Sequence, residues 1–111
     1  MDLVDIQRFH IYWVALDPAQ GSESQKTRPC VIISPNEMNH ALTTIIIAPI
    51  TSTIRENYPT RVLCMVANKK AHIALDQIRT VDRIRLGKKI GYLVKSVEDQ
   101  VLEVLREMFT R

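Results

Sequence analysis

Two apolar runs constrain this chain more than anything else in it. Cys30-Val31-Ile32-Ile33 and Thr43-Thr44-Ile45-Ile46-Ile47-Ala48 are β-branched, show no polar alternation, and are stopped by Ser34-Pro35 and Pro49. Runs this short and this uniformly apolar read as strands covered on both faces rather than as amphipathic helices. Their neighbours follow the same punctuation. Ile11 to Leu16 is a strand ended by Asp17-Pro18, Thr60 to Val66 is another, and a turn at Asn68-Lys69-Lys70 leads to His72 to Asp76. In that last strand His72, Ala74 and Asp76 are expected on one face, with His72 a partly exposed structural residue. Lys89 to Val94 forms a last short strand, and Asn36 to Ala41 one or two helical turns.

The clearest helix closes the chain. Ser96 with Asp99 makes an N-terminal capping pattern, and Val97, Val101, Leu105 and Met108, with Leu102, Val104 and Phe109, form its apolar face. Many short strands with one terminal helix predict a mainly β fold, a small barrel with a helical appendage. With 111 residues, residues 1–111 make a single domain.

Composition narrows the function. No apolar run approaches the roughly 20 residues of a membrane span, and the acidic start Met1-Asp2-Leu3-Val4-Asp5 does not resemble an export signal. Cys30 and Cys64 lie in core-like runs and are expected as reduced, buried thiols, so a cytoplasmic location is expected. The net charge is +3, but between Lys69 and Lys89 seven basic residues face only Asp76 and Asp82. Such a concentration attracts phosphate backbones, although a solvated basic face or an acidic protein partner fits it too. His10, His40 and His72 are far apart and lack ligand spacing with any cysteine, so no metal or other cofactor is expected. The three glycines are not clustered, which excludes a glycine-rich phosphate loop.

What remains is a set of polar stretches at strand ends. The first is the loop from Ala19 to Arg28, long for a compact domain and of the kind that often carries function. The second is Thr51-Ser52-Thr53. The third, Asp76-Gln77-Ile78-Arg79-Thr80-Val81-Asp82, is unusually polar for a segment that follows a strand.

Trp13-Val14-Ala15-Leu16-Asp17-Pro18, Gly21-Ser22-Glu23, Arg28-Pro29, Ser34-Pro35, Ala48-Pro49-Ile50-Thr51-Ser52 and Asp76 to Asp82, in this order and spacing, resemble the MazF/PemK family of toxin–antitoxin ribonucleases, which includes Kid. The match covers nearly the whole chain. The resemblance implies an SH3-like barrel with a C-terminal helix, a homodimer, and a metal-independent endoribonuclease that cuts single-stranded RNA at short motifs. The products would be a 2′,3′-cyclic phosphate or 3′-phosphate and a 5′-hydroxyl. A cognate antitoxin with an extended acidic segment would occlude the site.

The same resemblance makes Arg28 and Thr51, on two separate loops, the first catalytic candidates. Arg28 is always cationic and offers forked donors to phosphate, so transition-state stabilisation suits it better than proton abstraction. Glu23 matches a carboxylate that acts as general base in some members. Ser22, Ser52, Thr53, Asp76, Gln77 and Arg79 are substrate-binding candidates, the last two suited to base edges and phosphate. Asp76 also matches the aspartate that Kid-type members use in catalysis. Their companion arginine two residues earlier is Ala74 here, and their first-loop histidine is Ser22, which favours Glu23 as base. The family usually has glycine before the first strand, where this chain has Phe9. Two other functions fit the same fold: a toxin that binds a protein such as DNA gyrase, and a barrel that binds RNA without cutting it.

Overall fold

The computed structural model describes residues 6–16 and 26–111. Among the described residues seven strands and two helices follow one another: β1 (His10–Ala15), β2 (Thr27–Ile32), α1 (Asn36–Ala41), β3 (Thr44–Thr51), β4 (Arg61–Val66), β5 (Lys69–Ala74), β6 (Arg79–Asp82), β7 (Leu86–Tyr92) and α2 (Lys95–Met108). Short 3-10 turns at Leu75–Gln77 and Arg83–Arg85 flank β6.

All pairings are antiparallel, in the order β4-β5-β3-β2-β1-β7. β3 is the longest strand and the pivot. Thr44 to Ile47 pair with β6, while Ile50 and Thr51 pair with β5, so two strands share one edge of β3 in succession. This curls the sheet into a half-barrel, in keeping with the small barrel expected from the strands and terminal helix and with the SH3-like architecture that the family resemblance implies.

The covered strands are covered as their sequences require. Successive side chains of a strand point to opposite faces. Val31, Ile33, Ala48 and Ile50 enter one core with Ile11, Val62, Ile73 and Leu75, closed by Val101 and the apolar face of α2. Cys30, Ile32, Ile45 and Ile47 enter a second core with Ile6, Tyr12, Val14, Leu16, Val81 and Leu86. A strand serving two cores has no polar face, which is why β2 and β3 show no alternation.

β7 runs along β1 with two register shifts around Tyr12. Gly87 belongs to this crowded stretch: a Cβ there would lie 3.2 Å from the Trp13 carbonyl oxygen.

Several local expectations are corrected. The β4–β5 turn is Ala67–Asn68, both left-handed (φ 51° and 64°), and the strand resumes at Lys69, as a two-residue hairpin turn with positive φ demands. β5 ends at Ala74, so Asp76 sits in the following 3-10 turn rather than on a strand face with His72, and His72 is buried. The polar stretch Arg79–Asp82 is itself a strand, sustained by β3 although only Val81 is buried. α2 starts at Lys95 with Val94 at its cap position and no side-chain cap. Asp99 instead accepts from Lys95 at 2.7 Å, and Phe109 leaves the apolar face for solvent. The thiols behave as expected: Cys30 and Cys64 are free and buried.

Phe9 gives the glycine usual at its position a physical meaning. Its φ is 70°, a left-handed conformation that a bulky residue adopts at a cost. Its amide donates to the Ile32 carbonyl at 2.7 Å, its carbonyl accepts from the Leu93 amide, and the residue is buried. Burial of the ring offsets the strain that glycine would avoid.

Candidate active site

Arg28 and Thr51 come together. β2 and β3 pair as Cys30↔Pro49, Val31↔Ala48 and Ile32↔Ile47, and the same antiparallel count carried onward sets Arg28 beside Thr51. The face that buries Cys30, Ile32 and Ile47 reaches solvent at these two residues. Both are therefore on strand ends, Arg28 second in β2 and Thr51 last in β3, rather than on the two loops expected. Side chains on strands are held more precisely than side chains on loops.

They line a cleft of about 330 Å³ with Thr53, Gln77, Arg55 and Arg61. Arg28 is exposed, and among the described residues its guanidinium has no ion-pair partner. Thr51 Oγ1 accepts from the Thr53 amide at 3.1 Å. That bond caps the turn and uses the hydroxyl only as acceptor, so its proton remains available to an anionic oxygen in the cleft.

Asp76 stands beside the cleft in a tight cluster. Its Oδ1 accepts from Arg61 Nε at 2.8 Å and from Thr60 Oγ1 at 2.9 Å, and its Oδ2 accepts from Arg61 Nη2 at 3.2 Å. The Arg61 guanidinium holds the Asp76 carboxyl below the usual carboxylate range, and Asp76 in turn raises the Arg61 pKa. Asp76 is thus an acceptor at neutral pH, not a proton donor.

Arg61 was invisible to sequence reasoning. Its strand partner across the β4–β5 ladder is Ala74, the position where Kid-type members carry arginine. A guanidinium for Asp76 thus exists, supplied from the neighbouring strand. Its side chain is only 8 % exposed. The missed signal was register: an arginine opening β4 faces the last residue of β5. Arg55 was likewise missed. It lies in the loop between β3 and β4, and its backbone amide donates to Nδ1 of His72 at 3.2 Å.

The other candidates divide. Thr53 and Gln77 line the cleft, and Ser52 is exposed next to Thr51. Arg79 is exposed at the start of β6, near enough to Cys30 to share with Arg28 an electrostatic influence on its thiol. Glu23 and Ser22 lie outside the described residues. Among the described residues, no group of three or more His, Cys, Asp or Glu is gathered as a metal ion would require. No helix among them is long and apolar enough to cross a membrane.

A curled antiparallel half-barrel, a C-terminal helix packed on one core, and a basic, hydroxyl-bearing cleft where β2 and β3 emerge define a class of small SH3-like barrels with a cationic cleft at one end. Within that class the match is specific. Residues 7–109 fit the model of the PemK-like, MazF-like toxins of type II toxin–antitoxin systems, and the chain belongs to this family. The fold is similar to toxin MazF-mt6 of Mycobacterium tuberculosis (29 % identity, 90 % of this chain and 95 % of that one, TM-score 0.76). It is also similar to MazF in the MazE–MazF structure from Deinococcus radiodurans (24 %, 96 % and 96 %, 0.79). A third similar structure is an endoribonuclease in complex with its cognate antitoxin from a mycobacterial species (21 %, 92 % and 92 %, 0.75).

Proposed function

We propose that this toxin is a metal-independent endoribonuclease acting in the cytoplasm on single-stranded RNA. The observation that carries the reading is the meeting of Arg28 and Thr51 at one cleft, with Thr53 and Gln77 beside them. Family membership and the mycobacterial endoribonuclease of the same fold support it.

In this reaction the ribose 2′-oxygen attacks the adjacent phosphorus and the P–O5′ bond breaks. The products are a 2′,3′-cyclic phosphate, open to later hydrolysis to a 3′-phosphate, and a 5′-hydroxyl. The 2′-hydroxyl proton passes to a base and the departing 5′-oxygen gains a proton. Charge accumulates on the non-bridging oxygens, where the Arg28 fork and the Thr51 hydroxyl would donate. Glu23 is the first candidate for the base. Asp76, kept ionised by Arg61, is the second. Ser22, Ser52, Thr53, Gln77 and Arg79 would hold flanking nucleotides.

The partners proposed with this activity are a second copy of the chain, as a homodimer, and a cognate antitoxin whose extended acidic segment covers the cationic cleft. The test is direct. Purified protein should cut single-stranded RNA in excess EDTA and leave 5′-hydroxyl ends, and Arg28→Ala should abolish cutting. Cleavage lost on chelation, or unchanged in Arg28→Ala, overturns the mechanism.

A further inference from the structure

The loop between β3 and β4 brings Thr53 and Arg55 to the cleft that Arg28 and Thr51 line. Its backbone is held from two sides. On one side the Thr53 amide donates back to Thr51 Oγ1 at the end of β3. On the other the Arg55 amide donates to Nδ1 of His72, a residue of β5 that is only 6 % exposed. The Arg55 carbonyl then accepts from the Tyr58 amide, so the turn leading into β4 starts from the residue that His72 holds.

His72 is the strand partner of Thr51 on β3 and of Leu63 on β4. Residues directly opposite one another in an antiparallel pair set their side chains on the same face. The imidazole therefore stands on the face of the proposed catalytic hydroxyl, and it bonds the loop. The charged or titratable groups that line its cleft are Arg55, Glu56 and Tyr58 of the loop, Arg61 of β4 and Lys70 of its own strand. From α2 comes only the neutral Gln100. An imidazolium here would meet three cations and one carboxylate.

The bond to Nδ1 depends on protonation. A ring nitrogen accepts only when it carries no proton, so the neutral imidazole is held with its proton on Nε2. In the imidazolium both nitrogens are donors. The Arg55 amide would then face a second N–H in a buried place, where losing the acceptor is costly. Histidine is also the side chain whose ordinary titration falls between about pH 5 and 8.

We infer that His72 is a positioning residue for the cleavage reaction. Its unprotonated Nδ1 holds Arg55, and through it the β3–β4 loop, in the arrangement that lines the cleft; protonation releases the loop and slows cleavage. This rests on the ribonuclease reading and adds how the site responds to acid.

Two variants separate the bond from the bulk of the side chain. Asparagine sets an acceptor oxygen where Nδ1 stands and does not titrate, whereas phenylalanine keeps the ring without the acceptor. Single-turnover cleavage of a single-stranded RNA is followed from about pH 8 to about pH 5.5, across the ordinary histidine range. His72→Asn should cut close to the wild-type rate at the upper end. The ratio of wild-type to His72→Asn rates, in which titration of the base and of the leaving group cancels, should fall about tenfold on acidification, the order expected for one buried hydrogen bond. His72→Phe should be about tenfold slow throughout. NMR of the wild-type protein gives a readout that needs no variant, and it decides the matter if His72→Asn does not fold. Nitrogen shifts should show Nδ1 bare at the upper pH, and the Arg55 amide signal should move with the same midpoint as the His72 ring. A proton on Nδ1 at that pH, an Arg55 amide that ignores the ring, or a flat rate ratio with folded His72→Asn overturns the positioning role alone if the wild type cuts RNA. Wild-type protein that cuts no RNA at any pH overturns the ribonuclease reading, and the positioning role with it.

Discussion

At one end of the β2–β3 ladder, Ser34, Asn39 and Arg83 are sealed from water; at the other, Arg28, Thr51 and Gln77 stand at an open cleft. Most of the sealed end is satisfied internally, although among the described residues Nε and Nη1 of Arg83 are buried without a hydrogen-bond partner. Ser34 Oγ donates to Asn39 Oδ1 at 2.5 Å and accepts from the Ile46 amide at 3.0 Å, while Asn39 Nδ2 donates to the Ser34 carbonyl at 2.9 Å. Arg83 donates to the carbonyls of Asn39 and Leu42, at the C-terminal end of α1. These groups stitch α1 to the sheet. Buried polar groups left without partners are costly, so this cluster belongs to folding. The open end uses its polar groups differently: the Thr51 hydroxyl serves only as an acceptor, and among the described residues the Arg28 guanidinium has no ion-pair partner. The same residue types thus stitch the fold together at one end and line an open cleft at the other, where the proposed chemistry would take place, and burial separates the two settings.

Substitutions should break the comparison cleanly or not at all. Arg28→Ala should lower single-turnover cleavage by about 100-fold or more, the usual effect of losing one charged transition-state donor, with an unchanged thermal midpoint by calorimetry. Asn39→Ala should do the reverse. It should destabilise the fold by about 2–3 kcal/mol in urea titration, from unpaired Ser34 groups plus a small cavity, while the folded fraction cuts at the wild-type rate. Thr51→Val should slow cleavage by roughly tenfold or more, with Thr51→Ser close to wild type, because the proposed donor is the hydroxyl.

The smallest effect sharpens the sealed end. His10 lies there, its Nδ1 buried without a partner among the described residues. Burial, and secondarily Lys89, lower its pKa from the ordinary 6.5. The unfolded chain therefore takes up this proton first. Stability is full above about pH 6.5 and is lost as pH falls from there through the lower folded value. Urea midpoints at about pH 7.5 and about pH 5.5 should differ less in His10→Asn than in the wild type; an identical difference in both would remove His10 from the account.

The parts of the fold that could be read from the sequence are those in which each residue decides its own environment. β2 and β3 were legible because strands packed into two cores carry no polar alternation, and α2 because its apolar spacing is helical. What escaped depends on pairing. Arg79–Asp82 is a strand because β3 offers it an edge, not because its residues favour one. Arg61 reaches Asp76 only through the β4–β5 register, and that register rests on a turn at Ala67–Asn68 that the Asn68-Lys69-Lys70 reading displaced. Arg28 and Thr51 were singled out by resemblance. Their adjacency is a property of the β2–β3 ladder, which a linear reading does not contain.

The two thiols bear on how this molecule can be handled. Burial pushes Cys30 to about 12 and Cys64 to about 11. Neither offers thiolate to an electrophile near neutral pH, and neither is exposed to one. A fluorophore could then be attached by maleimide chemistry at a single new position, such as Thr53→Cys at the rim of the cleft, with both native cysteines left in place. The barrel's own sulfur would stay silent, and the dye would report only what enters the site.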